Sequence, residues 1–100
     1  MSNDELVAEY ESITKDLVKL FEKKQHDYGP GNIAEFGEVG VLVRLNDKME
    51  RLKNLITNNL EASNESIEDT LDDIASYAII MRIVRAGKWD GAKQYELKRV

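Results

Sequence analysis

Residues 66–83, SIEDTLDDIASYAIIMRI, decide the fold class. Ile67, Leu71, Ile74, Ala78 and Met81 recur at three- and four-residue intervals on one helical face. Ile79, Ile80 and Ile83 lie on the opposite side, where they continue the face of Asp69, Asp72, Asp73 and Ser76. A helix apolar on two sides is central to a bundle or sits at a subunit interface, so this stretch predicts an all-α, self-associating protein. Carboxylates that continue such a face are threatened with desolvation unless a cation or a metal ion neutralises them. The plainer reading is that Asp69, Asp72 and Asp73 occupy the first turns, where the helix dipole favours negative charge by about 0.3–1 kcal/mol.

Outward from this stretch, Ser63 or Ser66 caps the helix, with Asp69 three residues after Ser66 in a capping-box-like position, and the helix runs to about Ala86 before Gly87. Residues 58–64 read as a polar loop. Before it, a second helix starts near Ile33 or Glu38 and ends at about Thr57, with Leu42, Leu45, Met49, Leu52 and Ile56 as its core stripe; Gly37 and Gly40 mark a kink or a close contact. The run His26-Asp27-Tyr28-Gly29-Pro30-Gly31-Asn32 holds the only proline and predicts an ordered turn. A first amphipathic helix spans residues 5 to about 24, with Leu6, Tyr10, Ile13, Leu17 and Leu20 or Phe21 as its stripe and Asn3 or Asp4 as N-cap. Residues 89–97 are a short helix or a docked tail, interrupted by Gly91. The expectation is one domain over residues 1–100: a bundle of three main helices plus a short C-terminal helix, assembled as a homo-oligomer.

Composition narrows the function. A chain of 100 residues buries little more than ~60% of its unfolded surface, which favours self-association. A net charge of −5 argues against a duplex nucleic-acid partner, which needs an electropositive footprint. Free nucleotides stay compatible, because a divalent ion reverses the local field of an acidic pocket. With no cysteine, disulfides and thiolate metal sites are excluded. The start MSNDELVAEYESITK is acidic and polar where a signal peptide would be basic and then apolar, and no apolar run approaches membrane-spanning length. The expectation is a cytoplasmic protein with no membrane partner.

The second helix adds chemistry. Asp47 and Glu50 stand among Arg44, Lys48 and Arg51, and acidic faces on two helices set against each other can hold Mg²⁺ while the cations hold phosphates. The plainer reading is a solvated face of intrahelical pairs such as Asp47 with Arg51, each worth only ~0.2–0.5 kcal/mol. Tyr28 and Asn32 lie in the Gly/Pro turn, where a ring stacks on a base and an amide reads its edge, or where they are a loop anchor and a helix N-cap; Tyr77 is a second stacking candidate. Trp89 reads as a closing side chain of the bundle, and His26 alone makes no metal site.

The combination D-Y-G-x-x-N from Asp27 to Asn32, then R-x-x-D-K-x-x-R-L from Arg44 to Leu52, then E-S-I-E-D-T-L from Glu65 to Leu71, with Asp73 and Tyr77 beyond, resembles the nucleotide-modification-associated family. That family occurs widely in phages and is allied to the MazG-like all-α nucleoside triphosphate pyrophosphohydrolases. The resemblance covers roughly residues 27–81 and implies a MazG-like bundle. It also implies Mg²⁺ (or Mn²⁺) held by Asp47, Glu50, Asp69 and Asp73, and a nucleotide bound through Tyr28, Asn32, Arg44, Lys48, Arg51 and Tyr77. The implied reaction is hydrolysis of a (deoxy)nucleoside triphosphate to monophosphate and pyrophosphate. MazG-like enzymes carry E-x-x-E and E-x-x-D; here Asp47-x-x-Glu50 and Asp69-x-x-Asp72 stand in those places, so two acids are one methylene shorter. Asp72 is the alternate register to Asp73, and Glu65, Glu68 and Glu38 are further candidate partners. Two other readings stay open: a nucleotide-binding or signal-sequestering oligomer without turnover, and a helical interaction module.

Overall fold

The computed structural model describes residues 1–58 and 64–95. Three helices follow one another, α1 (Asn3–Tyr28), α2 (Gly31–Thr57) and α3 (Asn64–Arg85), and no strand occurs among the described residues. The all-α class expected from the apolar spacing is the observed one.

Ser2, not Asn3 or Asp4, caps α1: its hydroxyl accepts the Glu5 N–H at 3.2 Å, a contact worth ~1 kcal/mol. Asp4 and Glu5 complement the dipole of the first turn. The helix passes the expected end at Lys24 and stops at Tyr28, where Gly29 takes φ 72° and donates its N–H to the Gln25 carbonyl. Pro30, which has no N–H to leave unsatisfied, stands at the start of α2. The breaker-rich run therefore shrinks to a two-residue corner, and Asn32 falls in the first turn of α2.

Gly37 interrupts α2 with φ 63° and ψ −154°. A β-carbon there would lie 2.5 Å from the Lys93 carbonyl oxygen, and the freed N–H of Glu38 donates to that oxygen at 2.9 Å. The expected kink and close contact are both present, and the contact is the C-terminal segment. This segment does not form the expected short helix over the described residues 88–95; Ser63 and Leu97 lie outside them. It is a docked tail, held by side-chain bonds as well. The Trp89 Nε1–H donates to the Pro30 carbonyl at 3.1 Å, and the buried Glu38 carboxylate takes the Arg85 guanidinium at 2.8 Å and the Tyr95 N–H at 3.2 Å.

The core joins Ile33 and Val41 of α2, Ile80 and Val84 of α3, and Trp89, with Phe21 edge-on to the indole at 6.0 Å between ring centres. This corrects two expected stripes. Leu42, Met49 and Ile56 are exposed on α2, as is Leu71 on α3, while Thr70 and Ser76 are buried. The line by which α2 meets α3 runs a fraction of a turn away from the apolar stripes. It takes in Lys48, Arg51 and Thr70, so polar residues fill part of the helix interface. α1 joins only by its C-terminal half, where Leu17 is its buried residue.

Candidate functional site

A cavity of about 210 Å³ opens where the end of α1, the start of α2 and the middle of α3 meet. Phe21, Lys24, Gln25 and Tyr28 reach it from α1 at the spacing of one helical face. Asn32, Ile33 and Arg44 line it from α2, and Asp73, Ser76, Tyr77 and Ile80 from α3. Four of the six residues proposed to bind a nucleotide, Tyr28, Asn32, Arg44 and Tyr77, thus converge on one space although 49 positions separate the first from the last in sequence. The volume is below the ~300–1,000 Å³ of pockets that engulf a small molecule, so the cavity has room for a ring-sized group and no more.

Polar contacts fix the cationic residues, Arg44 within α2 and Lys24, Lys48 and Arg51 across to α3. Arg44 Nη2 donates to Asn32 Oδ1 at 2.8 Å, Arg51 Nε donates to Thr70 Oγ1 at 3.2 Å, and Lys48 Nζ meets Asp73 Oδ2 at 2.9 Å. Lys24 takes the other oxygen of Asp73 at 3.0 Å. The plainer sequence reading of intrahelical pairs does not describe this set, since Arg51 reaches α3. Burial pushes the Asp73 carboxyl up, but the hydrogen bonds from Lys48 and Lys24 and the charges behind them outweigh it and hold the group below the ordinary carboxylate range.

The proposed metal-binding carboxylates are not gathered. Asp47 and Asp69 are exposed, and Glu50 pairs with Lys53 at 3.2 Å. Asp73 is shared by the two lysines, and Glu38 is sealed under the C-terminal tail. The side chain of Glu65 lies outside the described residues. Among the described residues no three His, Cys, Asp or Glu side chains lie close enough to hold an ion. As placed in one chain, then, the donor set does not fit Mg²⁺. Outside the cavity lining, next to Asp73 in the chain, the Asp72 carboxyl is pushed up by burial and by the like charges of Asp69, Asp73, Glu68 and Asp16.

Lys24, Gln25 and Ser76 are cavity residues that the motif reading did not assign to ligand. The signal was present in α1, where Phe21, Lys24, Gln25 and Tyr28 follow i, i+3, i+4, i+7, but a lysine ending an amphipathic helix reads as solvated until its neighbour across the bundle is known.

No curated protein and no solved structure matches the chain. The family model of nucleotide modification associated domain 1 does match, over residues 24–84. The matched segment opens at Lys24, runs through every charged residue of the cavity, and covers more than half of the sequence. The chain belongs to the nucleotide modification associated domain 1 family.

Proposed function

We propose that this protein binds a nucleotide, with the base in the cavity between Tyr28 and Tyr77 and the phosphates at the rim formed by Lys24, Arg44 and Lys48. The observation that carries this reading is the convergence of two aromatic rings, an amide and a guanidinium from three separate helices on one cavity. Aromatic faces stack on any base, the Asn32 amide and the Gln25 amide read its edge, and the cations meet phosphate oxygens in charge-assisted bonds. Membership of a family described by nucleotide modification supports the same ligand class.

For the reaction we propose hydrolysis of a (deoxy)nucleoside triphosphate to monophosphate and pyrophosphate, in the cytoplasm of a bacterial or phage-infected cell. Support comes from the resemblance to MazG-like enzymes and from the carboxylates clustered around Asp72, the chain neighbour of the cavity residue Asp73. Because the carboxylates of one chain do not form a cage, this chemistry requires the homo-oligomer, in which a second copy completes the acid set. Binding without turnover is the second reading, favoured by the engagement of both Asp73 oxygens by lysines.

A panel of ribo- and deoxyribonucleoside mono- and triphosphates tests the proposal by thermal shift and pyrophosphate release, with Mg²⁺, Mn²⁺ or EDTA. At a ligand concentration of 100 Kd the native state gains ~2.7 kcal/mol. Tyr77→Ala and Arg44→Ala are expected to abolish most of that gain while keeping helical circular dichroism. Stabilisation with metal-dependent release establishes the hydrolase, stabilisation alone the binding protein, and no stabilisation by any nucleotide removes both readings in favour of a helical interaction module.

A further inference from the structure

Asp73 lies between two ammonium groups at the cavity. Its two oxygens face one ammonium each, Lys24 from α1 at 3.0 Å and Lys48 from α2 at 2.9 Å, while Arg44 lines the same cavity and, among the described residues, donates to a neutral amide oxygen, that of Asn32. Among the described residues lining the cavity Asp73 is the sole carboxylate, set against Lys24 and Arg44, and Lys48 reaches it from outside the lining.

We propose that Asp73 is an internal counter-anion standing in for a ligand phosphate, and that Lys24 and Lys48 transfer their hydrogen bonds to that phosphate directly when a nucleotide enters. The inference rests on the nucleotide-binding reading of the cavity. It adds Lys24 to the site and gives Asp73 a role opposite in sign to that of a metal ligand.

The exchange keeps each ammonium in a charge-assisted bond, since one oxygen anion replaces another. A divalent ion at Asp73 has no such route. Bound at ~2.0–2.1 Å from a carboxylate oxygen, it would stand beside two ammonium groups, one on each oxygen of Asp73, with like-charge repulsion from both. A carboxylate that must be displaced also competes with the phosphate for the same lysines. Removing its charge therefore strengthens phosphate binding, whereas removing a metal ligand weakens it.

Isothermal titration calorimetry in EDTA, with a panel of nucleoside 5′-monophosphates and the matching nucleosides, tests this on the wild type, Asp73→Asn and Lys24→Gln. The expected result is metal-free binding in which the monophosphate is favoured about tenfold over its nucleoside, several-fold tighter monophosphate binding by Asp73→Asn, and loss of the phosphate preference in Lys24→Gln. Weaker binding by a folded Asp73→Asn, or monophosphate binding that appears only with Mg²⁺ and vanishes in that variant, overturns the inference and leaves the nucleotide reading standing with Asp73 as a metal ligand. Binding of no nucleotide by the wild type, with or without Mg²⁺, removes the nucleotide reading itself. Should Asp73→Asn lose its helical circular dichroism, Lys24→Gln decides alone, and an unchanged phosphate preference there overturns the inference.

Discussion

Asp72 and Asp73 are adjacent in the chain and opposite in electrostatic environment. Asp73, held low by its two lysines, contributes stability that is present above the unfolded carboxylate range and is lost as pH falls through its depressed folded value. Asp72, pushed up by burial and four neighbouring carboxylates, works the other way: the folded state holds its proton longer, so stability is lost as pH rises past the ordinary value of 3.8. Asp72→Asn is therefore expected to raise the urea midpoint at pH 7, within the ~0.5 kcal/mol typical of surface substitutions, and to be neutral below about pH 3.8, where both states are protonated in the parent. A loss of stability at pH 7 would show that Asp72 has a favourable partner. Spacing placed both aspartates on one acidic face; the tertiary arrangement separates them, bringing Lys24 of α1 and Lys48 of α2 to Asp73 and leaving Asp72 with burial and like charges.

Among the elements, α2 and the C-terminal tail depend on each other through Gly37. Any side chain there must adopt a left-handed backbone, costing roughly 1–2 kcal/mol, and its β-carbon meets the Lys93 backbone. Gly37→Ala is expected to destabilise the protein by about 2 kcal/mol or more and to release the tail. Trp89, the single tryptophan, reports that release, since its indole is buried against Phe21 and bonded to Pro30. A red-shifted emission in folded Gly37→Ala is the expected signature, and unchanged emission with unchanged stability refutes it. Trp89→Ala is expected to cost ~3–5 kcal/mol, measured by urea unfolding. The kink was legible because two glycines interrupt an apolar pattern. The tail's lack of helix was half legible in Gly91, and the deciding cause is tertiary: the backbone of residues 93 and 95 bonds Glu38 instead of itself.

Over the whole molecule, apolar surface is left uncovered in a consistent way. α1 is about 39 Å long at 1.5 Å per residue, yet Leu6, Val7, Tyr10 and Ile13 in its first half are all more than half exposed. Leu42, Met49 and Ile56 are 55%, 40% and 54% exposed on α2, and Leu71 is 46% exposed on α3. All but Val7 belong to the apolar stripes read from the sequence, and a second copy of the chain is the occupant proposed for them. Leu71→Glu with Met49→Glu is expected to convert an oligomer to a monomer in light scattering; a parent that is monomeric at tens of micromolar would refute the assembly and remove the second carboxylate source from the hydrolase reading. The sequence by itself determined the three helices, the corner at Gly29 and Pro30, the break at Gly37 and four of the cavity residues, Tyr28, Asn32, Arg44 and Tyr77, because periodicity, glycine conformation and charge type are local properties. The tertiary structure alone decided which helical face turns inward, that Lys24 joins the site, and that Asp73 lies between two ammonium groups. Those outcomes depend on how α1 lies across the other two helices, and no spacing within one helix encodes the neighbour that a side chain meets.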